Sequence, residues 1–166
     1  MSCNIVKNDS FTSDRLTYTG ITDDDTSILV KWRSDVDVIR FFKNNEPITV
    51  QSHTVWFNDF YLPDDTRYDF IITEKITNSK IGTVSIKDID YSDHSCEISY
   101  MIAENDFQRK GFASEAVIAM MKKMNVEGIT TFRAEIHINN TASIKMIEKL
   151  GFLFKSQNGE FLQYIT

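Results

Sequence analysis

Apolar and polar positions along the chain follow two different periods, which predicts a mixed architecture. Apolar residues alternate with polar ones in segments typical of strands, at 15–21, 68–74, 80–90, 96–102 and 131–138. They recur at helical spacing in segments typical of helices, from 23–25 through Trp32 and at 36–42, 52–62 and 142–150. A longer helix is predicted by one apolar stripe, which we assign to the core and which comprises Ala113, Ala116, Val117, Met120, Met121 and Met124.

Turn-forming residues set the order of these segments around one sheet. Gly151 follows the last predicted helix in the position of a helix-ending glycine, and Asn158-Gly159 predicts a hairpin between 151–155 and 161–165. The three central strands most simply form an antiparallel meander. The order of strand, helices, three strands, helix, strand, helix and hairpin predicts an α+β (mixed α/β) single domain, with helices on both faces of a central twisted mixed sheet.

Composition narrows the classes of protein and partner. A chain of 166 residues with 42% hydrophobic and 25% charged residues is typical of one globular domain, here 14–166, and the polar segment 1–13 predicts a flexible N-terminal arm. Cys3 and Cys96 lack CxxC spacing and indicate two free thiols in a reducing cytoplasm. A formal net charge of -6 argues against a nucleic-acid partner, and no apolar run approaches the ~20 residues of a membrane span. We expect a cytoplasmic protein, either a monomer or a homodimer.

A glycine-centred segment carries the first candidate chemistry. Residues 108–116, QRKGFASEA, follow a predicted strand and begin a predicted helix. Gly111 can adopt backbone angles that other residues avoid, and it lets a ligand approach the backbone closely. The unpaired amides at a helix beginning, together with Arg109 and Lys110, form an anion site suited to a pyrophosphate. The alternative for these residues is a basic helix beginning with a glycine turn.

Three motifs resemble the GNAT superfamily of N-acetyltransferases. Gln108, Gly111 and Ala113 match its Q/R-x-x-G-x-G/A motif, and residues 140–152, NTASIKMIEKLGF, resemble its N-x-x-[SA] helix and following strand. Residues 97–102, EISYMI, resemble a strand of the branch that includes the ribosomal-protein N-terminal acetyltransferases. The resemblance implies a GNAT domain that uses acetyl-CoA as cosubstrate. The dispersed histidines, without HExxH spacing, predict no metal site.

The resemblance also implies where the coenzyme binds. The strand that ends at Ile102 is expected to splay from the strand at 133–137, so that the pantetheine arm pairs with backbone groups in the gap. The pyrophosphate is expected on the glycine loop, and Asn140, whose alternative role is a helix N-cap, is expected near the thioester. The predicted coenzyme residues are Met101, Ile102, Ala103, Gln108, Arg109, Lys110, Gly111, Phe112, Ala113, Ser114, Asn140 and Ser143.

One position departs from the family pattern. Many members carry a tyrosine seven residues after the asparagine, where it protonates the leaving thiolate, and this sequence has Ile147 there. Ser143 and Tyr100 are the remaining candidates for the acid. The departure also supports an alternative function, a catalytically inactive acyl-CoA-binding module.

Amide formation requires a neutral amine, so a base or a water relay must remove a proton from the alkyl ammonium. Glu97 and Ser99 point to one face of their strand, and Glu97 is the candidate base, acting directly or through water. The alternative is a half-exposed strand carboxylate with a salt-bridge partner. The backbone amide near Ile102 is the candidate oxyanion donor. The predicted catalytic residues are Glu97, Asn140 and Ser143.

The N-terminal half is expected to form one wall of the acceptor site. It resembles the amino-sugar N-acetyltransferases that act on nucleotide-linked 4-amino sugars, in residues 32–35, Val38, Arg40, Phe42, 47–48, His53, Trp56 and Phe57. Arg33 or Arg40 is a candidate partner for a diphosphate. Trp56 or Phe57 is a candidate for stacking on a sugar or base, the alternative being a place in the core. The predicted acceptor-binding residues are Arg33, Trp56, Glu97 and Ser99. A small-molecule or sugar amine is favoured, and a protein N-terminus and a polyamine stay open.

Overall fold

One eight-stranded mixed sheet organises the protein, as a computed structural model that describes residues 5–166 shows. The strands are β1 (Ser10–Thr12), β2 (Leu16–Gly20), β3 (Tyr68–Glu74), β4 (Ser79–Asp90), β5 (Ser95–Ile102), β6 (Thr131–His137), β7 (Leu153–Asn158) and β8 (Phe161–Ile165). Their spatial order is β1-β2-β3-β4-β5-β6-β8-β7. Neighbouring strands are antiparallel except β5 and β6, which are parallel. The predicted fold class and the predicted meander of β3, β4 and β5 are therefore confirmed.

Helices cover both faces of this sheet. They are α1 (Thr26–Arg33), α2 (Val36–Ile39), α3 (Val50–Val55), α4 (Phe112–Val126) and α5 (Thr141–Lys149). A π-helical turn, Trp56–Tyr61, continues α3. π-helical turns are rare in proteins overall, but those that occur are frequently found at functional sites. They change the direction in which the side chains of one helical turn point. This one begins at a predicted acceptor residue.

Two apolar cores lie on opposite faces of the sheet, because successive strand residues point in opposite directions. The larger core packs α4 and α5 against the sheet and includes Phe70, Met120 and Ile147. The smaller core includes Trp32 and Phe57 from the helices and lies on the other face. Fully burying one such side chain contributes roughly 1.5–3 kcal/mol. The predicted core role of the methionine stripe is confirmed, since Met120 and Met124 are buried.

The N-terminal segment differs from its prediction. The arm predicted at 1–13 is wrong for residues 5–13, since Ile5 is buried and β1 pairs with β2. The ring of Phe11 stacks on that of Tyr18 at 4.4 Å between centroids, and this cross-strand pair stabilises a strand of only three residues. A strand that short has too few positions to show a period. Residues 1–4, which include Cys3, lie outside the described part of the chain.

The predicted helix at 36–42 also ends early. Helix α2 stops at Ile39, and residues 40–49, the bridging segment, follow without helical structure before α3. Helix α3 begins at Val50 because the side chain of Thr49 accepts a hydrogen bond from the Ser52 amide. The bridging segment reaches from the helical layer to β6, where Lys43 pairs with Glu135.

Candidate active site

A gap separates the parallel strands β5 and β6 over most of their length. Their pairing covers three residue pairs, Ser95 with Thr131, Cys96 with Phe132 and Glu97 with Arg133. Beyond Glu97, β5 continues to Ile102 and β6 continues along β8 instead. The predicted separation of these strands is confirmed. An extended ligand can therefore form hydrogen bonds with unpaired strand backbone in this gap.

The backbone groups that face the gap follow from the register of β5 on β4. The N–H of Ala103 donates to the carbonyl of Ile81 at 2.8 Å. In an antiparallel pair, residues bonded to the partner alternate with residues whose backbone groups point away. The N–H and C=O of Tyr100 and Ile102 therefore point towards β6. The Ile102 carbonyl accepts a hydrogen bond from the Gln108 side chain at 2.9 Å, which leaves the Ile102 N–H as a donor at the gap.

The glycine loop lies at the end of β5 and begins α4. Gly111 is the N-cap residue, with φ of 79°, and Arg109 also has a positive φ, of 58°. No side chain among residues 5–166 caps this helix. The first amides of α4 have no intrahelical partners, so with the positive end of the helix dipole they form an anion site. Arg109 and Lys110 keep exposed side chains beside it.

The predicted coenzyme residues differ in what their side chains do. Gln108 holds the loop against β5 through Ile102, and Phe112 is buried in the larger core under the loop. Ala103 is buried and its N–H is taken by β4. These residues offer backbone groups or position the loop, whereas Arg109 and Lys110 offer charge.

Arg15 anchors the glycine loop, a role with no local signal in the sequence. Its Nε donates to the Glu115 carboxylate at 2.7 Å, and its Nη1 donates to the Lys110 carbonyl at 2.9 Å. The guanidinium lies over the Phe112 ring, 4.3 Å from its centroid. A β-carbon built at Gly111 would lie 3.5 Å from Nη2 of Arg15. The start of β2 thus holds the loop from outside.

The beginning of α5 forms the other end of the gap. The Asn140 side chain accepts a hydrogen bond from the Ser143 amide at 3.3 Å, so Asn140 is the N-cap that the alternative interpretation predicts. Asn140 and Ser143 also line the cavity described next. Ile147, which occupies the position of the family's tyrosine, is fully buried in the larger core.

A cavity of about 630 Å³ lies between the sheet and the layer of α1 to α3. Its floor is built from β3, β4 and β5, whose register places Asp69, Ser85 and Ser99 in one row across the sheet. Residues of both β5 and β6 line it, including Met101 and Ile136, so the gap and the cavity adjoin. Cavities of this size hold small molecules and cofactors.

Glu97 and Ser99 both line this cavity, which agrees with their predicted common face. The Glu97 carboxylate is 2.9 Å from the Lys87 ammonium on β4. The structure therefore contains the salt bridge of the alternative interpretation and also brings the carboxylate to the cavity. Its role as the base stays a prediction.

The predicted acceptor residues of the helical layer fall into two groups, those that line the cavity and those that do not. Arg33 and Trp56 line the cavity, whereas Arg40 does not. Phe57 is buried in the smaller core, as the alternative interpretation has it. Trp56 already contacts neighbours, with its ring centroid 5.2 Å from that of Tyr61 and the Arg67 guanidinium over the ring at 5.0 Å. Little of its ring face is free for stacking.

Two buried nitrogens in the helical layer have no hydrogen-bond partner within residues 5–166. They are Nε of Arg33 and Nε2 of His53. Burial lowers the pKa of both side chains, and the imidazole is therefore neutral near pH 7 while the guanidinium stays charged. Buried polar atoms normally have partners, so these atoms indicate a ligand with polar groups. The sequence shows His53 only within the motif that contains Trp56 and assigns it no role.

The charges that line the cavity are paired except for one. Arg67 pairs with Asp69 at 3.0 Å and Lys87 with Glu97 at 2.9 Å. Lys43 pairs with Glu135. Within the described chain no carboxylate pairs with Arg33, whose Nη2 donates to the carbonyl of Asn44 at 3.1 Å. The cavity therefore holds one uncompensated positive charge.

The bridging segment covers part of the cavity. Its Lys43 forms the ion pair with Glu135 on β6, and the Lys43 ammonium lies 5.5 Å from the ring centroid of Phe161 on β8. The Phe41 ring lies 5.5 Å from that of His137. These contacts join the helical layer to the sheet beyond the gap and limit the size of an acceptor.

No helix within residues 5–166 is long and apolar enough to cross a membrane. Over the same residues, no three His, Cys, Asp or Glu side chains are grouped so that they could hold a metal ion.

Comparison with known proteins supplies the family. The chain is 30% identical over 148 residues to the uncharacterized protein MJ1062 of Methanocaldococcus jannaschii, covering 87% of this chain and 29% of that protein. It is 39% identical over 74 residues to human alpha/beta-tubulin-N-acetyltransferase 9, covering 43% of this chain and 36% of that protein. It thus spans about a third of the length of these curated relatives.

A solved structure shares the whole fold. Spermidine N-acetyltransferase from Vibrio cholerae, in complex with CoA and spermine, superposes with a TM-score of 0.82 at 15% identity, covering 92% of this chain and 95% of that one. At that identity the likeness concerns the fold alone. The family model described as "Acetyltransferase (GNAT) domain" matches residues 15–153, which include the gap, the glycine loop and the beginning of α5. The chain therefore belongs to the GNAT acetyltransferase domain family.

Proposed function

We propose that the protein is an acetyl-CoA-dependent N-acetyltransferase whose acceptor is a small-molecule primary amine that also carries an anionic group. The observation that carries this proposal is the gap between β5 and β6, which joins the glycine loop to a cavity with one unpaired cation. The gap suits the coenzyme arm and the cavity suits the amine. Family membership supports the donor, and the cavity supports the acceptor class.

The residues at the gap fit acetyl-CoA, which would supply an activated acetyl thioester. The first amides of α4, with Arg109 and Lys110, would hold the pyrophosphate. The outward N–H of Ile102 would pair with a pantetheine amide. The N–H of Tyr100, near Ile102 but further from the glycine loop, would polarise the acetyl carbonyl as a single oxyanion donor.

Glu97 would receive the proton that the amine loses. The carboxylate lies in the cavity with Ser99, two residues further along the same strand face. A carboxylate is a weak base for an alkyl ammonium, whose pKa is near ~10, so a water between Glu97 and the amine would relay the proton. The salt bridge to Lys87 keeps the carboxylate in place for this step.

The charges that line the cavity favour an acceptor with an anionic group over a polyamine. A polyamine carries several positive charges and would meet the unpaired guanidinium of Arg33, because the cavity carboxylates already pair with other cations. A phosphate or carboxylate would pair with Arg33 and could accept a hydrogen bond from His53. This agrees with the sequence resemblance to enzymes of nucleotide-linked amino sugars.

A protein N-terminus is the second candidate acceptor, and the relative named as a tubulin N-acetyltransferase favours a protein substrate. The contacts of Lys43 and Phe41 argue against it, because a polypeptide needs an open groove in which the chain can continue. The bridging segment would have to leave Glu135 and His137 to admit one.

Acceptor preference tests this proposal directly. We expect acetyl-CoA to be converted fastest with a nucleotide-linked amino sugar, more slowly with uncharged small amines, and slowest with spermidine and with short peptides that have free N-termini. A thiol reagent that detects released CoA measures each rate. Efficient acetylation of the peptides alone would overturn the acceptor class, and no CoA release with any amine would favour an inactive acyl-CoA-binding module.

Arg33→Gln should raise KM for an anionic acceptor by roughly 10- to 100-fold, since a hydrogen bond to a charged group contributes about 1.5–3 kcal/mol. The KM for acetyl-CoA should not change. Arg40→Gln is the matched control, because Arg40 is exposed and lies outside the cavity. Equal effects of the two substitutions would remove Arg33 from the acceptor site.

A further inference from the structure

The leaving thiolate lacks its usual partner in this chain. The position that carries a tyrosine in many GNAT enzymes holds Ile147, which has no polar group and is fully buried in the larger core. Transfer of the acetyl group breaks the carbon–sulfur bond and leaves an electron pair on sulfur. A hydrogen-bond donor placed at that sulfur lowers the barrier, because it stabilises charge that develops in the transition state.

Tyr100 has a hydroxyl at the end of the gap where α5 begins. Its backbone points into the gap, and its side chain lies on the face of β5 that packs against the larger core, as those of Ile98 and Ile102 do. The hydroxyl oxygen is buried and has no hydrogen bond within 3.5 Å to any group of residues 5–166. Leaving a buried hydroxyl unpaired destabilises the folded protein, so its persistence indicates a partner that binds later.

The Tyr100 hydroxyl lies close to the side chain of Ser143, which shows that it is at the beginning of α5. The serine side chain lies close enough to oppose the effect of burial on the Tyr100 pKa, although the two hydroxyls form no well-aligned hydrogen bond. Ser143 is in the first turn of α5, where its amide is held by Asn140, and both residues line the cavity. The positive end of a helix of nine residues adds to the stabilisation of a thiolate there.

We propose that Tyr100, with Ser143 beside it, donates the hydrogen bond that stabilises the leaving thiolate, in place of the tyrosine that is missing from α5. This inference rests on the proposed function. The amine nitrogen bonds to the acetyl carbon, the carbon–sulfur bond breaks, and its electron pair stays on sulfur, where the Tyr100 O–H is directed. The amine's proton leaves through Glu97 or water, and the thiolate takes a proton from water, so that an amide and a thiol result.

Tyr100 acts in this step as a hydrogen-bond donor that keeps its own proton. Burial raises the pKa of Tyr100 to about 12, well above the ~8.5 of a thiol, so the hydroxyl keeps its proton through the pH range in which the thiol ionises. The donor is therefore present at every pH at which the enzyme works, and Tyr100 adds no basic limb to the pH–rate profile.

Tyr100→Phe tests the inference by coenzyme binding as well as by rate. Turnover should fall on the order of 100-fold, the effect of removing one such donor. The affinity for CoA at a pH above its thiol pKa should also fall, whereas the affinity for desulfo-CoA should be unchanged. The ultraviolet absorbance of the bound thiolate should show a higher thiol pKa in the variant. Calorimetry with both ligands gives the affinities.

Tyr164→Phe is the matched control, because Tyr164 also belongs to the larger core but its hydroxyl already donates to Glu148 at 2.9 Å. It should leave the ratio of CoA to desulfo-CoA affinity unaltered. Tyr100→Phe should fold at least as stably as the parent, because it removes an unsatisfied hydroxyl. Ser143→Ala should give a smaller change of that ratio in the same direction as Tyr100→Phe.

The outcomes separate this inference from the proposed function. If Tyr100→Phe keeps the parent's turnover and its ratio of CoA to desulfo-CoA affinity, the inference is wrong while the proposed function stands. If the parent protein binds neither CoA nor desulfo-CoA, the proposed function fails first. A selective loss of CoA affinity in Tyr100→Phe supports the inference even when the best acceptor is not at hand.

Discussion

Gly111→Glu is expected to abolish acetyl-CoA binding and to leave the fold intact. Gly111 has φ of 79° at the N-cap of α4, and a side chain in this left-handed conformation costs roughly 1–2 kcal/mol. That is a small part of the ~5–15 kcal/mol by which domains are stable. The β-carbon of the new side chain would lie 3.5 Å from Nη2 of Arg15, and its carboxylate would lie among the amides proposed to hold the pyrophosphate. Calorimetric titration with acetyl-CoA measures the loss.

Gly128→Glu is the control that distinguishes the effect of backbone strain from the effect of blocking the coenzyme site. Gly128 has φ of 87°, and a β-carbon there meets no described atom within 4 Å, so the strain is similar and the position lies beyond the far end of α4. This control should bind acetyl-CoA like the parent. If Gly111→Glu also binds like the parent, the assignment of the glycine loop to the coenzyme is wrong.

Glu97→Gln should lower turnover by ~100- to 10,000-fold, the usual contribution of a general base, with little change in coenzyme affinity. Protonation of the parent's carboxylate inactivates it as a base, so the parent should lose rate as the pH falls. The variant has no carboxylate to protonate and should lack this acid limb, so that its rate falls only as the amine itself becomes protonated. A pH series of kcat/KM measures both effects.

Glu135→Gln is the comparison for that series, because Glu135 also lines the cavity and also pairs with a lysine. It should retain the acid limb, since it leaves Glu97 and Lys87 in place. An unaltered rate and profile in Glu97→Gln would leave water as the sole proton acceptor. The salt bridge to Lys87 would then be the whole role of Glu97.

The sequence alone predicts the elements whose signal is local. Predicted strands at 68–74 and 131–138 agree with β3 and β6 within one residue, and the glycine loop begins a helix as predicted. Alternation, caps and turns depend on residues a few positions apart, so the chain reveals them without a fold. The prediction fails for β1, because three residues are too few to show a period. It also fails for the end of α2, where the helix stops at Ile39 although the predicted helical segment continues.

The candidate site divides in the same way. The pattern of residues predicts the glycine loop and the common face of Glu97 and Ser99, because these follow from a motif and from the period of one strand, whereas the gap is implied by the resemblance to the GNAT superfamily. Only the tertiary structure distinguishes Arg33, which lines the cavity, from Arg40, which does not. It also reveals Arg15, whose partner Glu115 is 100 residues away, and the orphaned hydroxyl of Tyr100. Partners and burial depend on how distant segments pack, which no local pattern encodes.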